Sequence, residues 1–173
     1  MKHIVLISSL AVLSLISCGG DNSNTDRHAG HVTSSNANSK TLVSDELDGK
    51  QVVVLMAGDD MKFNAKEIRI KAGMPVELTL KHTGKMPKTS MGHNVVILSK
   101  DAVVSDFVNR ANAAEATDYI PNEYKDVIIA HTKMLGGGEQ DMTTFTINEP
   151  GTYPFMCTFL GHSVIMKGKV IVE

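Results

Sequence analysis

The last seventeen residues hold a thiolate, an imidazole and a thioether source, Cys157, His162 and Met166, at the spacing Cys-x4-His-x3-Met; another imidazole, His93, lies sixty-four positions upstream of the cysteine. Thiolate and thioether select copper, imidazole suits it in both oxidation states, and a His2Cys plane with a weak axial Met describes a blue-copper electron-transfer centre. Zinc gains little from a thioether, and a haem or iron-sulfur site needs Cys-x2-Cys-His or several thiolates, neither of which occurs. The absence of any His-x-His pair argues against the trinuclear cluster of a copper oxidase. Taken singly, His93 reads as a satisfied core histidine, Cys157 as an inert buried thiol and Met166 as a packing residue. The set in register is what points to a metal.

Such ligands need a rigid frame. Alternating or β-branched runs bounded by Gly, Pro, Asn and Asp recur at 51–56, 67–71, 75–81, 94–98, 127–130, 142–147, 151–157 and 167–172, the pattern of a β-sandwich. Val76, Leu78 and Leu80 alternate with Glu77, Thr79 and Lys81, one face on a core. Between 101 and 116, Val104, Phe107, Val108 and Ala111 recur at i, i+3, i+4 and i+7, which predicts one short amphipathic helix. Cys157 then ends one strand, Met166 begins the next, His162 comes from the turn between them and His93 enters from a separate strand.

Near its start stand Lys2 and His3, an apolar run over 4–16 and Leu15-Ile16-Ser17-Cys18, the pattern of a bacterial secretory signal before a lipidated cysteine. This run of thirteen residues, ten of them apolar, is too short to span a bilayer. Residues 1–17 are therefore expected to be a signal peptide and Cys18 the lipid attachment site, leaving Cys157 as the single thiol of the mature domain. From 18 to 49 the composition turns to Gly, Asp, Asn, Ser and Thr, which predicts a flexible tether with a reach of roughly 30 Å. His28 and His31 in that tether form a weak His-x-x-His and read as incidental. One globular domain is expected over 50–173. A net charge of −2 without a Lys/Arg run argues against nucleic acid as a partner and against charge steering on docking.

The domain resembles the azurins, cupredoxins of bacterial electron transfer. The similar stretches are Asp60-Met-Lys-Phe-Asn64, the 82–97 run with Pro87-Lys88 and Met91-Gly-His-Asn94, Ile129-Ala-His-Thr-Lys133 with its Gly-rich sequel, and Cys157-Thr-Phe-Leu-Gly-His-Ser-Val-Ile-Met-Lys-Gly168. The resemblance implies an all-β, cupredoxin-like Greek-key sandwich with one inserted helix, and one copper ion cycling between Cu(I) and Cu(II). It implies in-plane ligands His93, Cys157 and His162, an axial thioether on Met166 and a weak axial carbonyl on Gly92. It further implies that Asn94 ties the two ligand loops together, that Phe159 packs beside the ligand loop, and that His162 is the ligand nearest solvent and the electron port. An apolar surface of Met61, Met86, Met91, Leu160, Val164 and Ile165 would meet redox partners such as cytochromes c or copper enzymes. The family's disulfide and tryptophan have no counterpart, Val95 standing at the tryptophan's place, and Leu160 replaces the usual loop proline. Ser90 makes the rim more polar than usual, and His82 and His131 match family histidines outside the ligand set. The expected function is a non-enzymatic periplasmic electron carrier held to a membrane through Cys18; the alternative is a copper delivery or storage protein.

Overall fold

In the computed structural model residues 41–173 are described; the expected signal segment, Cys18, His28, His31 and the expected tether up to residue 40 lie outside them. Among the described residues ten strands form two sheets: β1 (Thr41–Val43), β2 (Asp45–Leu47), β3 (Lys50–Ala57), β4 (Glu67–Ile70), β5 (Val76–His82), β6 (Val96–Leu98), β7 (Ile128–His131), β8 (Gln140–Phe145), β9 (Gly151–Met156) and β10 (Lys167–Val172). One sheet has the order β1-β4-β10-β9-β6-β7 and the other β2-β3-β5-β8. All eight expected strand regions are present. The inward alternation of β5 holds, with Val76, Leu78 and Leu80 at most 1% exposed, and Val53, Leu55, Ile68, Ile97, Phe155 and Val170 complete a core between the sheets.

The ordered domain starts earlier than residue 50, because 41–47, expected as tether, form β1 and β2. β1 lies parallel to β4, with Thr41 opposite Glu67, and β2 folds back antiparallel on β3, with Leu47 opposite Lys50. The turn between β2 and β3 is Asp48-Gly49, both at positive φ (50° and 75°), a dipeptide suited to the two-residue hairpin turn that requires this backbone twice. Leu42 packs against the main core, and Ser44 Oγ donates to Gln51 Oε1 at 3.0 Å. Few apolar residues are needed for an edge strand whose backbone is paired.

The expected helix is present but shorter, α2 at Val104–Asn112, with Phe107 and Ala111 buried beside Val96, Leu98 and Met156. It is not the sole helix: a single turn, α1 (Lys88–Met91), follows Pro87, whose carbonyl accepts from the N–H groups of Ser90 and Met91 at 3.0 Å each. Four residues are too few for a periodic signal. β6 begins at Val96 and not at Asn94, since the Val95 N–H donates to the Thr132 hydroxyl (3.1 Å) in place of a ladder carbonyl.

Candidate metal centre

The β9–β10 hairpin carries the downstream donors. β9 ends at Met156 opposite Lys167 of β10, so Cys157 and Met166 face each other at the mouth of the loop, where Cys157 N–H donates to the Met166 carbonyl at 2.9 Å. Inside the loop Gly161, at φ 80°, turns the chain into a short 3-10 segment over His162–Val164. The N–H groups of Ile165 and Met166 then return to the His162 carbonyl at 3.0 and 2.7 Å. His162 is thus fixed by bonds within ten residues of chain.

His93 arrives differently. It lies between α1 and β6 and is held by reciprocal backbone bonds with Leu135, 3.0 and 2.8 Å. Its Nε2 lies 2.9 Å from the Gly58 carbonyl, which can only accept, so the proton sits on Nε2 and Nδ1 keeps a free lone pair. The His82 ring stacks on it with centroids 4.5 Å apart, itself fixed by Nε2–H to the Met91 carbonyl (2.8 Å) and by the Gly84 N–H on Nδ1 (3.1 Å). A Cβ at Gly92 would stand 2.6 Å from the Lys88 carbonyl oxygen and 2.8 Å from the Phe159 ring, so this close approach of backbone to aromatic requires glycine.

Three donors converge. Cys157 Sγ lies 3.9 Å from His93 Nδ1, 3.7 Å from His162 Nδ1 and 3.8 Å from the Gly92 carbonyl, and all three side chains are buried. Among them His162 retains the most exposure, 4% against 0% for the other two. Met166 is buried in the same core cluster as Cys157. Bonds of about 2.0–2.3 Å from nitrogen and sulfur to one shared ion would set its donors roughly 3.5–4 Å apart, which fits these separations.

The electrostatics fit a soft cation. Burial pushes the Cys157 thiol up to about 11, against backbone N–H groups of Asn94 and Phe159 that favour the thiolate. Those two donors alone do not ionise the thiol; a bound cation would. Burial, with a smaller contribution from His93, holds His162 down at about 4, and burial likewise depresses His93 despite its Gly58 bond. Both imidazoles are therefore neutral at neutral pH, so of the three groups only the thiol would have to lose a proton to take up a metal.

Supports around the donors, some expected and some not, complete the centre. Asn94 bridges the two ligand segments by donating Nδ2–H to Thr158 Oγ1 (2.7 Å) and accepting the Thr158 N–H on Oδ1 (2.8 Å). Thr158 was not anticipated, nor was Gly58, since these pairs lie 64 and 35 residues apart. Phe159 lies between the His162 ring (4.6 Å) and Tyr119 (5.4 Å). Tyr119 and Asp118 both have positive φ, and Asp118 receives a 3.1 Å bond from Lys88 of α1, so one strained corner touches both ligand segments. His131 is exposed and donates Nδ1–H to the Thr132 carbonyl at 3.1 Å, apart from the donor set.

The loop that carries His162 presents an apolar surface, with Leu160, Val164 and Ile165 57%, 71% and 50% exposed; Met86, from a separate segment, is also exposed. Met91 and Met61 are half-buried, the latter packed against the core.

The family model "Copper binding proteins, plastocyanin/azurin family" matches residues 50–173. The outer membrane protein H.8 of Neisseria gonorrhoeae is 41% identical over 126 residues, 70% of this chain and 67% of that protein. The azurin of Alcaligenes faecalis is 39% identical over 122 residues, 68% of this chain and 94% of that one. The crystal structure of dithionite-reduced auracyanin from Roseiflexus castenholzii superposes with a TM-score of 0.63 at 32% identity, covering 70% of this chain and 96% of its own.

Proposed function

Because the chain belongs to the plastocyanin/azurin family of copper-binding proteins and copper is its metal, we propose that it is a one-electron carrier. His93, Cys157 and His162 would hold the copper, with the Met166 thioether and the Gly92 carbonyl as weaker donors beside them. The observation that carries the reading is the meeting of one thiol and two neutral imidazoles in a buried pocket braced from both sides. Copper, when bound, supplies the Cu(I)/Cu(II) couple. The chain's contribution is to keep that couple's surroundings unchanged: Asn94 locks one ligand segment to the other, His82 and Phe159 restrain the imidazole rings, and the packed core excludes water. A donor set with so little exposure favours retention of the metal over the delivery or storage reading.

Electrons enter and leave through the His162 edge, where Met61, Met86, Met91, Leu160, Val164 and Ile165 form the contact surface for redox partners such as cytochromes c or copper enzymes. The domain works in the periplasm, attached to a membrane through lipid on Cys18. Support for that address is the Leu15-Ile16-Ser17-Cys18 pattern and the likeness to a relative named an outer membrane protein.

Two experiments test these statements. Stopped-flow oxidation of the reduced protein by a cytochrome c should slow in Leu160→Asp, because the added charge must be desolvated on docking, while the copper spectrum stays unchanged; equal rates would remove the electron port from this face. Mass spectrometry of the mature N-terminus should find a lipid-modified Cys18, and a free Cys18 or cleavage elsewhere would exclude the anchor.

A further inference from the structure

The surface beside the His162 edge is not only apolar. A shallow cavity next to it is lined by Lys62, Phe63, Lys66, Ile165 and Lys167. Ile165 follows the His162 turn and its N–H donates to the His162 carbonyl, so one exposed side chain belongs both to the apolar rim and to the cavity wall. Phe63, nearly buried, packs on Phe155 with ring centroids 5.6 Å apart. The three lysines come from separate parts of the chain: Lys62 and Lys66 from the connection between β3 and β4, and Lys167 from the first position of β10.

Several lysines elsewhere are matched by carboxylates, Lys50 by Glu77, Lys100 by Glu149 and Lys169 by Glu67, while Lys81, Lys85, Lys125 and Lys133 form no ion pair among the described residues but do not line this cavity. Among the described residues Lys66 and Lys167 form no ion pair, and Lys62 has only a 3.9 Å approach to Asp60 in which both side chains are more than 60% exposed. Such an exposed contact contributes little. Three cations around an apolar wall repel one another until an acidic surface covers them.

We propose that this lysine-rimmed cavity docks a redox partner protein that carries a cluster of carboxylates beside its own electron-transfer edge. The proposal rests on the carrier reading above and names the partner's chemistry. Contiguity with the His162 edge selects a protein over an anionic membrane, because a bilayer seated on this cavity would cover the route by which electrons leave.

The test uses the copper-loaded protein and a triple variant, Lys62→Gln, Lys66→Gln and Lys167→Gln, which removes charge and keeps side-chain length. The reduced proteins are oxidised by two cytochromes c, one with an acidic and one with a basic haem edge; each event passes one electron from Cu(I) to ferric haem, giving Cu(II) and ferrous haem. The rate with the acidic cytochrome should fall about tenfold in the variant at low salt, within the range that steering supplies, and lose most of its salt dependence. The rate with the basic cytochrome should hold or rise. A readout free of electron transfer comes from the redox-inert anion hexacyanochromate(III), which should broaden the amide NMR signals of Lys66, Ile165 and Lys167 in the Cu(I) protein and not in the variant. An unchanged rate with the acidic cytochrome, or broadening centred elsewhere, overturns the docking assignment alone. Lost binding to phosphatidylglycerol vesicles with an unchanged cytochrome rate would mean that the lysines serve a membrane and also overturns it. Failure of both cytochromes to oxidise the wild-type copper protein contradicts the carrier reading and the proposal together.

Discussion

The two segments that supply the centre are built on opposite principles. The loop from Cys157 to Met166 is closed by its own chain, through Cys157 to Met166 and through Ile165 and Met166 back to His162. The segment from Lys88 to Asn94 has one helical turn of its own and otherwise depends on distant residues: Gly58, His82, Leu135 and Thr158 fix His93 and Asn94. A local loop keeps its shape if its residues are right, whereas a segment held from afar fails when any distant partner is lost. Damage to the upstream segment should therefore cost more than damage within the loop.

The largest expected effect is at the bridge. Asn94→Ala removes two bonds and leaves the buried Thr158 N–H without its acceptor, so copper-free protein should lose about 2–3 kcal/mol in a urea titration. The copper-loaded variant should show an altered visible spectrum because the two ligand segments are no longer tied. Gly92→Ala comes next: its Cβ would meet the Lys88 carbonyl and the Phe159 ring, and overpacking of this kind costs about 1–3 kcal/mol. Displacement of His93 should appear in the copper spectrum as well. Gly161→Ala, within the loop, meets no atom within 4 Å but holds φ 80°, and should cost only about 1–2 kcal/mol with a nearly unchanged spectrum. A loop variant costlier than the Asn94 variant would reverse the comparison.

A pH-dependent effect separates the two imidazoles from the solvent-exposed charges. In copper-free protein His162 protonates only at about 4, while the unfolded chain takes up its proton near the ordinary histidine value of about 6.5. The stability this contributes is present above that value and is lost as pH falls from about 6.5 through about 4. The depressed His93 acts in the same direction. Thermal unfolding of copper-free protein across that range should show a falling midpoint, and a flat profile would mean that the rings are solvated.

The same contrast explains what could be read without coordinates. Cys157, His162 and Met166 share one loop whose spacing is itself the signal, and the strands declared themselves by alternation, as in β5. His93 could be singled out as an imidazole, but nothing in the residues near it reveals Gly58 or Thr158, whose bonds form only after the sheets have packed. Lys62, Lys66 and Lys167 make no charge run, so a near-neutral chain conceals a local positive cluster. The early strands were legible in part. Asp48-Gly49 is a hairpin signal, but the polar composition around it concealed β1 and β2, because edge strands are held by backbone pairing more than by apolar side chains. α1 was hidden by its length, and Tyr119 by its distance in sequence from Phe159.

The visible absorption spectrum of the protein loaded with Cu(II) tests most directly that Cys157, His93 and His162 form a blue-copper centre. Wild-type protein should be intensely blue from thiolate-to-copper charge transfer, Cys157→Ser should be colourless in that band, and Met166→Leu should stay blue with a changed potential. A colourless wild-type copper complex, or a blue colour that survives Cys157→Ser, would contradict the assignment.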